Sequence, residues 1–327
     1  MPNWGQVLQE IQHRHAALSI QAQQIQAAAQ ASIDAVRRDY LAKLHQKTGR
    51  NIIVYYSGWL SKPATILNLG IVDEDKNGFM MAVHGLERAR GLDLILHTPG
   101  GSLAATESIV DYLRKMFPTD IRVIVPQLAM SAGTMIACCS NKILMAKHSS
   151  LGPIDPQIRG MAAYGIIQEF KRAYQEIKKS PTKIEIWRPI LLKYSPTLLS
   201  ECDNGIRWAS SFVGKQLEKH MFKGKRNARA RAKQVVKRLT DYRGNKAHDR
   251  HIHFDECKKI GLDVDAIETV HDQEFQDLVL TVHHCLMHAL MNTPAFKIIE
   301  NHAGAAFVKQ NLVMQGQLVA SLPQQRP

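Results

Sequence analysis

Two short apolar runs, Leu92–Leu96 and Ile121–Val125, each lead into a turn rich in small residues and then into a stretch with helical spacing. Leu103, Ile109, Val110, Leu113 and Met116 can share one face, which predicts a helix over 102–116. Met130 to Cys139 is small and apolar throughout and predicts a buried helix. Two strand–turn–helix units in succession predict a mostly parallel sheet in an α/β fold. Ile52–Tyr56 predicts an earlier strand, and Tyr164–Lys179, Glu201–Phe222 and Phe275–Leu290 predict later helices.

Residues 5–48 hold no proline, and no glycine beyond Gly5, so they predict one long helix or a helical pair. Ile11, Leu18 and Ile25 repeat every seven residues, but their companions His15, Ala22 and Ala29 are polar or small, which is a poor coiled-coil seam. Ile33, Val36, Tyr40, Leu41 and Leu44 form a clearer stripe. So Gln- and Ala-rich a helix has little to bury alone, and the expectation is an arm for self-association or partner binding, with a helix packed on its own domain as the alternative. The expected organisation is a helical arm at 1–50, an α/β domain at 51–270 with a helical, basic insertion at about 160–245, and a C-terminal helical segment and tail at 271–327. Within the insertion, Trp187–Tyr194 and Pro196–Leu199 are expected to form a cap or lid, and Gln315–Pro327 to fray. Asp73-Glu-Asp-Lys-Asn-Gly78 begins like a calcium loop, but its twelfth position is His84 where a bidentate acid is needed, so it reads as a turn.

The chain has 327 residues and a formal charge of +13. Most of that charge sits between Lys215 and Arg250, where thirteen Lys or Arg face Glu218, Asp241 and Asp249. Such a stripe can engage nucleic acid or an acidic partner, or be a solvated helix face. Phe222 and Tyr242 are its only aromatic residues, which argues against base stacking. Five scattered cysteines fit a reducing compartment, and the N-terminus lacks the apolar run of a signal peptide, so a cytoplasmic protein is expected. Val123–Ser140 is uncharged, but Pro126, Gln127, Ser131 and Gly133 mark it as strand, turn and helix rather than a membrane span.

The candidate chemistry is acyl transfer. Ser131 stands between a strand end and a helix start, where its hydroxyl can be exposed. Gly100, Gly101 and the amide of Ala132 can supply an oxyanion hole, because turns without side chains let backbone N–H groups approach a ligand. On spacing alone, a tight turn and a helix-capping serine fit the same residues.

His97-Thr-Pro-Gly-Gly-Ser102, Val123-Ile-Val-Pro126, Ala129-Met-Ser-Ala-Gly-Thr134 and Ser150-Leu-Gly-Pro-Ile-Asp-Pro-Gln157 resemble the paired signature of Clp-fold serine peptidases, which share the crotonase-like fold of repeated ββα units. Within that group the chain most resembles the serine dehydrogenase proteinase family, related to signal peptide peptidase A. Ile252–Leu262 is a weaker echo of the fold's late helix and turn. The resemblance covers roughly residues 50–270 and implies Ser131 as nucleophile, Gly100 and Ala132 as oxyanion donors, a peptide or protein substrate, and a homo-oligomer.

A serine also needs a base, and here several candidates stay open. No histidine stands about two dozen residues after Ser131, where the Clp protease has its own; that neighbourhood is Gly152–Asp155, and Asp155 could orient a base or cap a turn. A Ser–Lys dyad like that of signal peptide peptidase A would draw on Lys183, from its distance, or Lys193, from its apolar setting in Leu191–Tyr194, although any one lysine in so basic a chain is more often a solvated surface residue. His248 and His251 are the other candidates. With His253 they also invite a metal reading, but alternation with Ile252 and Phe254 suits an ordinary strand edge better, and neither metal nor cofactor is expected. The competing functions are a catalytically silent or partner-activated assembly protein and a crotonase-like acyl-CoA enzyme, the latter opposed by a serine at this turn. No Gly-x-Gly-x-x-Gly fingerprint for a dinucleotide is present.

Overall fold

A computed structural model of the chain describes residue 28 and residues 30–311. The heptad positions Ile11, Leu18 and Ile25 and the tail Gln315–Pro327 lie outside the described residues.

A seven-stranded sheet organises the molecule. Its parallel part consists of β1 (Asn51–Ser57), β2 (Leu92–His97), β3 (Ile121–Val125), β5 (Lys142–Met145) and β10 (Val264–Ala266), and β11 (Ala295–Asn301) and β12 (Ala306–Gln310) continue it antiparallel beyond β1. The order is β10-β5-β3-β2-β1-β11-β12. Parallel strands covered on both faces have to be apolar at nearly every position. In β1, accordingly, Ile53 and Tyr55 enter the core on one face while Ile52, Val54 and Tyr56 enter the core on the other.

The first face is covered by α2 (Asp75–Val83), α3 (Leu103–Met116), α4 (Ala132–Cys138), α7 (Leu198–Lys219), α8 (Ala228–Leu239) and α10 (Phe254–Ile260). The second is covered by α1 (30–48), α11 (Ile267–Val270) and α12 (Gln273–Asn292). The expected strands at 92–96 and 121–125 and the helix at 102–116 are present within a residue or two. Ser102 caps α3 by accepting a hydrogen bond from the amide of Ala105 at 3.3 Å.

Three expectations change. The stretch 30–48 is not a free arm: Leu41 and Leu44 are fully buried in the second core, and Arg37 joins it to β11 through Glu300 at 2.6 Å. The segment from Asp75 is helix rather than turn, because Gly78 lets α2 lie directly against Ile299 and Phe307 of β11 and β12. The C-terminal segment is more than helix and tail, since β11 and β12 extend the main sheet. The helical insertion is divided, with Tyr194 and Leu198 of the expected cap in a small cluster of their own beside the main core. Buried Ala163, Ile166, Leu198 and Cys202 make this cluster between α5 (Ala163–Lys179) and α7, whereas Phe212, Val213, Leu217, Val235 and Leu239 join the main core. On α8 this leaves Arg229, Lys233, Lys237 and Arg238 exposed on the opposite side.

Two short pairings position the site. β4 (Leu128–Ala129) pairs with β6 (Ser150–Leu151), which pairs with β9 (Ile252–His253). The remaining elements, β7 (Gln157–Ile158), β8 (Met161–Ala162), α6 (Ile184–Leu191) and α9 (Tyr242–Asn245), lie in the helical insertion. No described helix is long and apolar enough to cross a membrane.

Candidate active site

Ser131 is the turn between β4 and α4, and its backbone is strained, with φ 50° and ψ −114°. A non-glycine residue in this region costs on the order of 1–3 kcal/mol and persists only where the surroundings over-determine it. They do so here from both flanks. Thr98 bridges the strand before the turn, donating its amide to Leu128 O at 3.1 Å and accepting the Met130 amide at 3.0 Å. The Thr134 hydroxyl donates to Ala129 O and accepts from Gly152 N, both at 2.8 Å, so it closes the first turn of α4 against the segment after β6. Ser131 itself is partly exposed. Among the described residues its hydroxyl has no hydrogen-bond partner.

Gly100 and Gly101 have φ of 103° and 155°, conformations that side chains resist. Space requires glycine as well: a Cβ on Gly100 would stand 2.7 Å from the Ser131 Cβ, and one on Gly101 would run into the backbone of Ile71. Ile71 grips this turn from outside, donating to Gly100 O at 2.7 Å and accepting from Ser102 N at 2.9 Å. The Gly100 amide is directed to the Thr98 hydroxyl at 3.2 Å. Among the described residues, the amides of Gly101 and Ala132 have no intramolecular acceptor.

The segment after β6 brings a carboxylate to this region. Gly152 packs so closely on the elbow that a Cβ there would lie 3.2 Å from the Ser131 amide nitrogen. Three residues on, Asp155 is 2% exposed, and its Oδ1 lies 3.0 Å from Nδ1 of His248. Antiparallel pairing of β6 with β9 returns the chain beside it. The His248 loop is pinned by the buried Asn245, which donates to Leu239 O at 3.2 Å and accepts from Arg250 at 3.2 Å. Leu239 O also takes the amide of Ile154 at 3.0 Å, so one carbonyl ties both the acid's segment and the histidine's loop to the end of α8.

The remaining candidates stand elsewhere. Lys183 lies on the surface of the insertion, paired with Glu176 at 3.1 Å, and Lys193 is exposed after α6. Neither is buried in an apolar setting. His251 is exposed and turned toward the ring of His253, while Ile252 and Phe254 point into the core, as the alternation predicts. Among the described residues no group of three or more His, Cys, Asp or Glu could hold a metal ion. His97, beside the glycine turn, is buried against Trp59 and Tyr56. Burial lowers its pKa to about 4, against the opposing effect of hydrogen bonds to Gln127 and Ser57 O.

A parallel-sheet core with a serine elbow facing a double-glycine turn is the architecture of a Clp-like α/β protein. The chain belongs to the family of ClpP-like SDH-type serine proteinases, which it matches over residues 18–288. It is similar to two proteins of Methanocaldococcus jannaschii, the uncharacterized protein MJ0137, 33% identical over 60% of each chain, and the uncharacterized protein MJ1495, 28% identical over 59% of each chain. The chain thus spans about 60% of the length of these curated relatives.

Sequence reasoning missed Ile71, because it acts through its backbone atoms. It weighed both His248 and His251 as possible bases and put His251 among the expected site residues, yet the histidine that meets Asp155 is His248. What separates them is a carboxylate ninety-three residues away.

Proposed function

We propose that this protein is a serine peptidase in which Ser131 is the nucleophile, His248 the base and Asp155 the group that orients it. With Nδ1–H donating to Asp155, the Nε2 lone pair of His248 is available to take the Ser131 proton. The alkoxide adds to a peptide carbonyl, and the amides of Gly101 and Ala132, in the turn shaped by Gly100, receive the oxyanion. His248 returns the proton to the leaving amine, and water then hydrolyses the acyl-enzyme by the same relay. The observation that carries this reading is the buried Asp155 paired with His248 on the segment packed against the strained Ser131. Cysteines without disulfides suit a cytoplasmic setting.

One observation favours a partner-activated form of the same enzyme. Among the described residues the Ser131 hydroxyl has no hydrogen-bond partner, so contact between Ser131 and His248 would be completed by substrate or by assembly with further copies. The test is intact-protein mass spectrometry after fluorophosphonate treatment. A stoichiometric adduct absent from Ser131→Ala is expected; folded, assembled protein that stays unmodified would sink the proposal in favour of a silent scaffold.

A further inference from the structure

Behind the glycine turn lies an ion pair wholly removed from water. Lys297 on β11 and Asp75 at the start of α2 are both 0% exposed. The ammonium donates to Asp75 Oδ1 at 2.9 Å, to Asp75 Oδ2 at 2.8 Å and to Gly70 O at 2.7 Å, which uses all three of its N–H bonds. Asp75 Oδ2 also accepts from the Tyr55 hydroxyl at 2.8 Å and from the Val72 amide at 3.0 Å.

These bonds hold both ends of a three-residue strip. Lys297 takes the carbonyl of Gly70, Asp75 takes the amide of Val72, and Ile71 between them takes Gly100 O and Ser102 N on either side of Gly101. Gly70 is pressed against the same turn, with space for a Cβ denied by Gly100 O at 2.9 Å. The orientation of the Gly101 amide is therefore set by a chain of contacts that ends at Lys297. A buried ion pair is a poor means of adding stability, because desolvation offsets most of its attraction and apolar residues of the same volume often do as well. It does fix direction, which an apolar pair would not.

We propose that Lys297 and Asp75 are positioning residues for the oxyanion turn, acting through Gly70–Val72 to aim the Gly101 amide. This rests on the peptidase reading above. Lys297 lies outside the matched family region of residues 18–288, whereas Asp75, the Gly70–Val72 strip and the glycine turn lie inside it.

The experiment separates the rate of fluorophosphonate labelling from its final stoichiometry in the full chain. Loss of one oxyanion donor typically costs about 10²–10³-fold in rate. Lys297→Met is expected to label about a hundredfold more slowly than wild type yet reach the same stoichiometry. A purely structural role would lower the stoichiometry and leave the folded fraction labelling at the wild-type rate, and that result would overturn the proposal. Should Lys297→Met fail to fold because Asp75 is left unpaired, Lys297→Met/Asp75→Leu removes both charges and carries the test on the same terms: slow, complete labelling supports the proposal and wild-type rate overturns it. Tyr55→Phe, which leaves the pair intact, is expected to label at the wild-type rate. Wild-type protein that does not label at all fails the peptidase reading instead, and the positioning role goes with it.

Discussion

Nδ1 of His248 lies 3.0 Å from Oδ1 of Asp155 across ninety-three residues of chain. The acid is buried and the imidazole only partly so, which is the arrangement that holds a base in one tautomer while leaving its other nitrogen reachable. Ser131, Asp155 and His248 stand in that order along the chain, and the separation of the last two is closed by the β6–β9 pairing.

Replacing the members of this constellation tests the assignment of the base. His248→Ala and Asp155→Asn are expected to slow fluorophosphonate labelling by about 10³-fold or more, as loss of a base or of its orienting acid does. Lys183→Ala, Lys193→Ala and His251→Ala are expected to label as wild type. A large effect confined to one of the lysines would show a Ser–Lys dyad instead.

The strain at Ser131 has a thermodynamic signature. Ser131→Gly relieves the positive φ and is expected to stabilise the fold by about 1 kcal/mol relative to Ser131→Ala, which keeps the strain. Denaturant unfolding of the two inactive variants decides this, and equal midpoints would mean that the turn is not strained in solution.

Gly100→Ala places a Cβ 2.7 Å from the Ser131 Cβ and 3.0 Å from the Ala132 amide nitrogen, at a φ of 103°. The expected result is a folded or weakly destabilised protein that no longer labels at Ser131. Labelling within threefold of wild type would show that the two turns are not juxtaposed as described.

His97 and His283 set an acid limit. Burial holds His97 near pKa 4 and His283 near 3, the latter also repelled by neighbouring histidines, against 6.5 for an unhindered imidazole. Both are neutral in the folded state, so below about pH 6.5 the unfolded chain binds protons that the folded chain refuses. Stability therefore falls as pH drops from 6.5 towards 4, by roughly 3 kcal/mol for His97. Thermal midpoints measured across this range should fall less steeply in His97→Asn, and an unchanged slope would contradict the assignment.

Arg37 is the link between α1 and the sheet. It is buried with Glu300 at 2.6 Å, and Arg38 adds a second contact to the same carboxylate at 2.9 Å. Arg37→Ala leaves Glu300 buried with only the half-exposed Arg38 for support, and is expected to cost about 3 kcal/mol in equilibrium unfolding. A loss below 1 kcal/mol would mean that 30–48 is held without need of the Arg37–Glu300 pair.

Local pattern was enough for the strands at 92 and 121, the helices that follow them and the serine and glycine turns, because each depends on neighbours within a few residues: unbroken apolar runs, helical spacing, and glycines where side chains do not fit. It also placed Ile252 and Phe254 inside with His251 and His253 outside. What it could not decide was everything resting on a distant partner. Asp75 looks like a turn acid until Lys297 is seen to neutralise it, and the strand that carries Lys297 falls in a stretch whose local pattern suggests only helix and tail. His248 and His251 are equivalent on a basic loop until Asp155 selects one. A buried charge is tolerated only beside its counter-charge, and the sheet order that brings 75 to 297 and 155 to 248 exists only in the folded chain.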